Sequence, residues 1–272
     1  MNNREDLLVK VEKIPLSTFM PGYKFPTKYT HAIVTYPPGE KKGRIVNFCS
    51  EDYTLVPNKD IMNRVEEGLN GAFDIDAKYI HKGYAKFYMD YTIKNNTRKV
   101  QKGDIVGVKV RIQNSYDGRL RFGYSHGLSR LVCTNGMTSL EQGKNVTTMH
   151  TPQIINKDMI ATLIDETEAR LKSLPELLKP YEKLIQTKFP MSEAEIIKRM
   201  ETIAEDTNYP KRQIPDAATI ALAEAKQLRV EMTDWLIYQG MNNILNHSTD
   251  FAMEWHKREQ VDAEIVQKFL NP

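Results

Sequence analysis

The sequence predicts an α+β fold: an antiparallel sheet with a packed helix in the N-terminal part, followed by an all-helical C-terminal region. Three observations predict it. Between residues 73 and 124 apolar residues recur at every second position, which is typical of strands that bury one face. Residues 58–69 carry apolar side chains at helical spacing. From residue 154 onward the apolar spacing is helical in each successive segment.

The first elements follow from short stretches. "RIVNFC", residues 44–49, is an apolar run that predicts a strand. The next segment predicts a helix, because its apolar residues are three or four positions apart and so lie on one face. These residues are Ile61, Met62, Val65 and Leu69.

Two hairpins are predicted next. The first turns at residues 81–83 between two alternating segments, and the second joins "IVGVKVRIQ" to the segment that contains Leu120 and Phe122. The apolar sets of the second hairpin share a face only if the loop has three residues, 116–118. Gly118 then occupies the left-handed position of a bulged hairpin, which glycine tolerates best.

The chain is expected to divide into three parts. Residues 1–43 are proline-rich and predict an irregular arm, residues 44–150 a basic α+β domain, and residues 151–272 an acidic helical region. Residues 1–150 hold 23 Lys and Arg against 15 Asp and Glu, a net charge of +8. Residues 151–272 hold 15 against 20, a net charge of −5. A basic first half favours a polyanionic partner.

Composition excludes several classes of protein. Only two cysteines occur, which argues against a disulfide framework or a paired CxxC metal site. No apolar run approaches the roughly 18 residues of a membrane span, and the N-terminus is too charged for a signal peptide. We therefore expect a soluble, cytoplasmic protein with no membrane partner.

A basic and aromatic face of the sheet is the candidate binding site. Alternation places the polar side chains of both hairpins on the face opposite the apolar set, with no carboxylate across the second hairpin to neutralise them. Phosphates bind such a surface, and tyrosine rings can stack on unpaired bases. Single-stranded DNA is the predicted ligand. The alternative is an ordinary solvated strand surface. The candidate residues are Tyr84, Lys86, Tyr88, Lys109, Arg111, Arg119 and Arg121.

Chemistry that makes or breaks bonds finds little support in the sequence. The six histidines lack the spacing of a metal site, and no phosphate-loop motif occurs, so we predict no catalytic residue, no metal and no cofactor. Asp216, Glu224 and Lys226 have the spacing of one nuclease superfamily. They lie in a segment that predicts a helix with Pro215 in its first turn, which favours a structural role.

The motifs resemble a family of phage- and plasmid-encoded proteins of unknown function. Its signature is an N-S-x-D-G turn, followed by Gly, Arg and C-x-N-G. Here these are Asn114, Ser115, Asp117, Gly118, Gly127, Arg130, Cys133, Asn135 and Gly136. "YTLVPNKDI" and "WLIYQGMNNILNHST" resemble two further segments of that family. The resemblance implies a bacterial host cell but no established activity.

The order of the elements is similar to that of single-strand annealing recombinases such as RecT, Redβ and Erf. That resemblance implies single-stranded DNA in a basic groove, strand annealing in DNA recombination without ATP, and a homo-oligomeric ring or filament. Arg130 is a further candidate for a DNA contact. Two alternatives stay open: an interaction module or inhibitor that acts on host defence or replication proteins, and a metal-dependent nuclease.

Overall fold

A computed structural model describes residues 4–24, 28–131, 136–137, 146–148, 157–190, 192–247 and 255–271. The α+β prediction is confirmed, because the N-terminal half carries antiparallel sheets and the C-terminal half is helical. The strands are β1 (Lys10–Pro15), β2 (His31–Tyr36), β3 (Arg44–Cys49), β4 (Ile75–Lys82), β5 (Lys86–Ile93), β6 (Arg98–Gln101), β7 (Asp104–Ser115), β8 (Phe122–Arg130), β9 (Gly136–Met137) and β10 (Val146–Thr148). The helices are α1 (Arg4–Leu7), α2 (Asn58–Ala72), α3 (Lys157–Gln186), α4 (Glu193–Ala204), α5 (Ile214–Leu228), α6 (Asp234–His247) and α7 (Trp255–Leu270).

The contacts group the chain into two compact units. Unit 1 comprises Met1–Asn95, Val110–His126 and Lys144–Ala169, and unit 2 comprises Asn96–Lys109, Gly127–Gly143 and Arg170–Pro272. Strands β7 and β8 and helix α3 therefore contribute residues to both units. The boundaries expected at residues 43 and 150 stay a prediction.

A three-stranded antiparallel sheet of order β1-β2-β3 occupies the start of unit 1. The prediction of an irregular arm over residues 1–43 is therefore wrong for β1 and β2. The prolines misled the prediction because Pro15 is the last residue of β1 and Pro37 directly follows β2. Proline lacks an N–H but is tolerated at the ends of strands.

The larger sheet has the order β10-β8-β7-β5-β4, with β6 paired to β7 and β9 to β8. Helix α2 packs in unit 1 as predicted, since Ile61, Met62, Val65 and Leu69 are all fully buried. Its Glu66 accepts hydrogen bonds from the hydroxyl groups of Tyr79 on β4 (2.9 Å) and Tyr91 on β5 (3.2 Å). These contacts fix the helix to the first hairpin.

The β7–β8 connection agrees with the prediction at its glycine and differs in length. Gly118 has a φ of 71°, the left-handed conformation that the turn requires. Six residues separate the strand ends at Ser115 and Phe122, where three were predicted. The Ser115 hydroxyl accounts for the difference, because it bonds both the N–H (3.1 Å) and the carbonyl (2.9 Å) of Leu120 and so closes the wider loop.

The helices of unit 2 pack around small and aromatic side chains. Helices α5 and α6 contact each other closely at Gly240, where a side-chain carbon would overlap the backbone oxygen of Ala217. The Tyr181 ring lies 5.5 Å from the Trp235 ring and 6.1 Å from the Tyr238 ring. These rings lie in the helical core, as the helical spacing of apolar residues predicts for this part of the chain.

Candidate nucleic-acid interface

The predicted basic face of the larger sheet is not exposed. Lys86, Tyr88, Lys109 and Arg111 are all buried, with Tyr88 1% and Arg111 4% exposed. Strand alternation placed these side chains on the face opposite the apolar set, but alternation cannot say whether another part of the chain covers that face. The prediction of an open cationic surface is therefore wrong for these four residues.

Arg111 has a carboxylate partner within unit 1. Its Nε and Nη2 atoms each donate a 2.6 Å hydrogen bond to one oxygen of Asp90 on β5, a bidentate ion pair. Lys78 on β4 lies opposite Asp90 in the strand register. Burial lowers the pKa of the Lys78 amine, and Asp90 offsets part of this effect. The pair fills a buried position and leaves Arg111 no role at a phosphate.

Sequence reasoning missed Asp90 because it compared charges only across the β7–β8 hairpin. A signal was present: Asp90 is two residues after Tyr88 on the same strand, and so it shares the face on which Tyr88 and Lys86 were placed.

Arg130 is the centre of a buried charge cluster in unit 2. Its Nε donates a 2.5 Å hydrogen bond to Asp104, and its Nη2 contacts the carboxylate of Glu224. The Trp235 indole N–H donates to the second oxygen of Asp104 at 2.7 Å. With Arg130 fully buried, a DNA contact is excluded.

The nuclease pattern also separates in space. Glu224 faces inward to Arg130, whereas Asp216 and Lys226 are exposed on the same helix, α5. Among the described residues no three side chains of His, Cys, Asp or Glu gather as a metal site. Within the same ranges, no helix combines the length and apolar composition needed to cross a bilayer.

Residues of the N-S-x-D-G motif hold the β7–β8 loop in place. The Asn114 amide donates to the Asn58 side chain at 2.8 Å and to the Val56 carbonyl at 3.3 Å. Asp117 accepts the backbone N–H of Arg119 at 3.0 Å. Cys133 and Asn135 lie outside the described residues. These contacts give the motif a structural role.

Three predicted residues stay accessible, and all three lie at hairpin tips. The side chain of Arg119 is 77% exposed, with its Nε 4.0 Å from Asp117. Arg121 is exposed as well. Tyr84 is partly exposed and stacks on His81, with ring centroids 4.1 Å apart. What remains of the predicted site is therefore the end of the sheet rather than its face.

A different surface combines aromatic and basic side chains, and we name it the N-terminal aromatic surface. Among the described residues, eight large hydrophobic side chains are exposed, and six of them lie between residues 19 and 48. Each of the six is 46% to 54% exposed. They are Phe19, Met20, Tyr23, Tyr29, Ile45 and Phe48. Exposed large hydrophobic residues this frequent in one stretch of the chain favour a binding surface.

The register of the small sheet explains the position of Ile45 and Phe48. Val34 pairs with Ile45 and Ala32 with Phe48, so both pairs share one face, although Ile45 and Phe48 are three residues apart. The register shift between Ile33 and Val34 makes this possible, since a bulge inserts one residue and changes the alternation. Strand β3 is an edge strand of this sheet.

The segment after β1 packs over the same face. Leu16 clusters with Ala32 and Val34, and the Met20 N–H donates to the Leu16 carbonyl at 3.1 Å. The Tyr23 N–H donates in turn to the Met20 carbonyl at 3.2 Å. This chain of contacts holds the exposed residues 19–23 beside the cluster.

Exposed cations are frequent in the same stretch of the chain. Residues 19–48 contain five Lys and Arg and a single acidic residue, Glu40. Arg44 donates to Glu40 through its Nε at 2.7 Å, and the Lys28 ammonium lies 5.6 Å from the centre of the Tyr29 ring. The five cations are all exposed: Lys24, Lys28, Lys41, Lys42 and Arg44. Sequence reasoning assigned no function to this stretch, although its lysines and aromatic residues were a visible signal.

Comparison with known proteins gives one family. A family model described as a domain of unknown function, DUF932, matches residues 46–267. No match was found among curated proteins, and none among solved structures. The matched range begins within β3, so β1, β2 and the first residues of the N-terminal aromatic surface precede it.

Proposed function

This chain belongs to the DUF932 family of unknown function. We propose that it binds single-stranded nucleic acid through its N-terminal aromatic surface. The observation that carries the proposal is the set of half-exposed rings among five exposed cations and one carboxylate. Aromatic rings stack on unpaired bases at about 1 to 3 kcal/mol per base, and cations neutralise the backbone.

Charge and shape together favour a single strand over a duplex. Phe48 lies on β3 of an antiparallel sheet, and a flat sheet does not enter a major groove well. A single strand presents its bases without that restriction. The lysines of this surface would contact phosphates without regard to sequence.

Strand annealing is the activity that we propose for the bound strand, in a phage or plasmid protein of DNA recombination. The resemblance of the element order to single-strand annealing recombinases supports this step, as does a mechanism that needs no nucleotide hydrolysis. A strand held by its phosphates can pair with a complementary strand on encounter. A ring or filament of copies would hold a longer strand, and assembly belongs to the same proposal.

Fluorescence anisotropy with labelled oligonucleotides tests the binding. We expect the chain to bind an oligo(dT) strand more tightly than a duplex of equal length, with log affinity falling linearly with log salt. Phe48→Ala and Tyr23→Ala should each weaken binding about 5-fold or more, because each removes a ring on which a base can stack. Ile105→Ala is the matched control, since Ile105 is an exposed hydrophobic residue elsewhere, on β7.

The interaction with phosphates has a separate readout. Lys41→Gln combined with Lys42→Gln should reduce the salt slope by about 0.7 for each phosphate that is no longer neutralised. Lys99→Gln combined with Lys102→Gln removes two exposed cations of unit 2 and should leave the slope unchanged. Complementary oligonucleotides carrying a donor and an acceptor dye would report annealing in the same solutions. Incubation with Mg²⁺ should leave the oligonucleotide intact.

Three results would contradict the proposal. If no oligonucleotide binds, or if Phe48→Ala and Tyr23→Ala both bind as tightly as the wild type, this surface is not the nucleic-acid site. Cleavage in Mg²⁺ would favour the nuclease alternative. If no oligonucleotide binds and Phe48→Ala abolishes self-association in sedimentation, the surface is a protein contact, which agrees with the interaction-module alternative.

A further inference from the structure

A half-buried lysine lies on the polar face of the first hairpin. Lys78 is on β4, the edge strand of the larger sheet, and its register partner on β5 is Asp90. The next pair on the same face is Ile80 with Tyr88. Tyr88 is buried and Ile80 is half-buried. The Lys78 side chain therefore has an apolar pair on one side, and its amine is only partly hydrated.

The carboxylate opposite Lys78 is bound by another residue. Arg111 on β7 donates to both oxygens of Asp90 at 2.6 Å, and its guanidinium lies 6.0 Å from the centre of the Tyr88 ring. Within the ranges that the structure describes, no hydrogen bond or ion pair reaches the Lys78 amine. Asp90 and Arg111 therefore act on this amine through space only.

Three effects determine the protonation of the amine. Burial disfavours the ammonium form and lowers the pKa of Lys78, which is the largest effect. Asp90 raises that pKa by a smaller amount, and the positive charge of Arg111 lowers it again. Other charged residues of this face occupy different register pairs, one or two pairs away: Asp76, Lys82 and Lys86. The sum favours a neutral amine.

A neutral lysine amine is a nucleophile. Proteins obtain one by removing water from the side chain or by placing a second cation beside it, and both conditions hold at Lys78. Because β4 is an edge strand and Lys78 is half-buried rather than buried, the amine stays within reach of a small solute. The reaction open to such an amine is condensation with a carbonyl group.

We infer that Lys78 is a nucleophilic amine that forms an imine with a small aldehyde or ketone. The nitrogen attacks the carbonyl carbon, a C–N bond forms, and a proton moves from nitrogen to the carbonyl oxygen. The C–O bond of this adduct then breaks and water leaves, so neither an oxidant nor a reductant is required. The inference is independent of the proposed function, since none of these residues belongs to the N-terminal aromatic surface.

Reductive methylation of the full chain tests the inference. Formaldehyde forms the imine, cyanoborohydride reduces it, and mass spectrometry of peptides gives the rate at each lysine. With limiting formaldehyde at about pH 7, we expect Lys78 to react about 5-fold or more faster than Lys59, an exposed lysine of α2, because an amine with a lowered pKa is neutral more often. As the pH rises towards about 10.4, the usual lysine pKa, this ratio should fall.

Two controls separate a perturbed amine from simple accessibility. Lys78→Arg should remove the fastest site, whereas Lys59→Arg, the matched variant on α2, should leave it unchanged. In concentrated urea the rates at Lys78 and Lys59 should become equal, because the neighbours that lower the pKa of Lys78 are then absent.

Each outcome has a separate meaning. A faster reaction at Lys78 that disappears in urea supports the inference. If Lys78 reacts no faster than Lys59 at about pH 7, or reacts only after unfolding, its amine is protonated or closed to solutes and the inference is wrong. A fastest site at a different lysine would overturn it as well.

Discussion

For single residues, alternation along a strand predicts the face on which a side chain lies, but it does not predict whether that face is exposed. Arg111 and Arg119 were grouped as equals, yet Arg111 is buried in a bidentate pair with Asp90 and Arg119 is exposed. Burial of a guanidinium is tolerated only with a partner that satisfies its hydrogen bonds. The sequence contains Asp90 in the required alternation, but the choice between solvent and Asp90 depends on what covers the strand.

Arg111→Ala is expected to destabilise the protein by about 3 to 5 kcal/mol, because it leaves the Asp90 carboxylate buried without its partner. Arg119→Ala is the control and should change the free energy of unfolding by less than about 0.5 kcal/mol. Urea denaturation measures both. An Arg111→Ala protein as stable as the control would show that the pair is open to water.

Helices and strands were predictable wherever one face is buried. The strand at residues 44–49 was predicted at the bounds that β3 has, and the Gly118 conformation followed from the turn. The prolines of residues 1–43 concealed β1 and β2, because sequence reasoning treated proline as a breaker without considering strand ends. The candidate site was less predictable. Within it, Ile45 and Phe48 share a face only through a bulge, which shifts the alternation and leaves no period to recognise.

The contact of α5 with α6 gives a prediction at the level of elements. Gly240→Ala should destabilise the protein by about 2 kcal/mol or more, since the added methyl group would overlap the Ala217 carbonyl oxygen and force the helices apart. Gly71→Ala in α2 is the matched control: open space surrounds Gly71, so alanine should stabilise by up to about 1 kcal/mol. Thermal unfolding of both variants compares them. Equal effects would mean that α5 and α6 separate without cost.

At the scale of the whole molecule, burial of tyrosines makes stability depend on pH. Burial raises the pKa of Tyr53, Tyr79 and Tyr124 to about 12 each. Burial raises the pKa of five further tyrosines: Tyr91, Tyr116, Tyr181, Tyr209 and Tyr238. The pKa of a tyrosine in the unfolded chain is about 10.

Because the folded state keeps protons that the unfolded state loses above about pH 10, the free energy of unfolding should fall as pH rises from about 10 to about 12. Urea denaturation at about pH 8 and about pH 11 measures the change. The tyrosinate absorbance of the folded protein should likewise appear above the range of free tyrosine. If all tyrosines of the folded protein ionised at about pH 10 without unfolding, the burial of these rings would be contradicted.

The charge of the molecule divides between its halves, +8 over residues 1–150 and −5 over residues 151–272. The positive charge of the first half is not exposed where the sequence predicted it. The cations on the face of the larger sheet are buried, whereas those beside β2 and β3 are exposed. An interaction module that acts on host defence or replication proteins stays an alternative prediction.

The burial of Cys49 makes the small sheet observable in solution. Cys49 ends β3 opposite His31, it is 5% exposed, and burial raises the pKa of its thiol. A thiol reagent reacts with the thiolate, so it can modify Cys49 only when β3 moves away from its neighbour. In a Cys133→Ser background, the labelling rate of Cys49 would count these opening events, and a ligand lying across β3 would slow it.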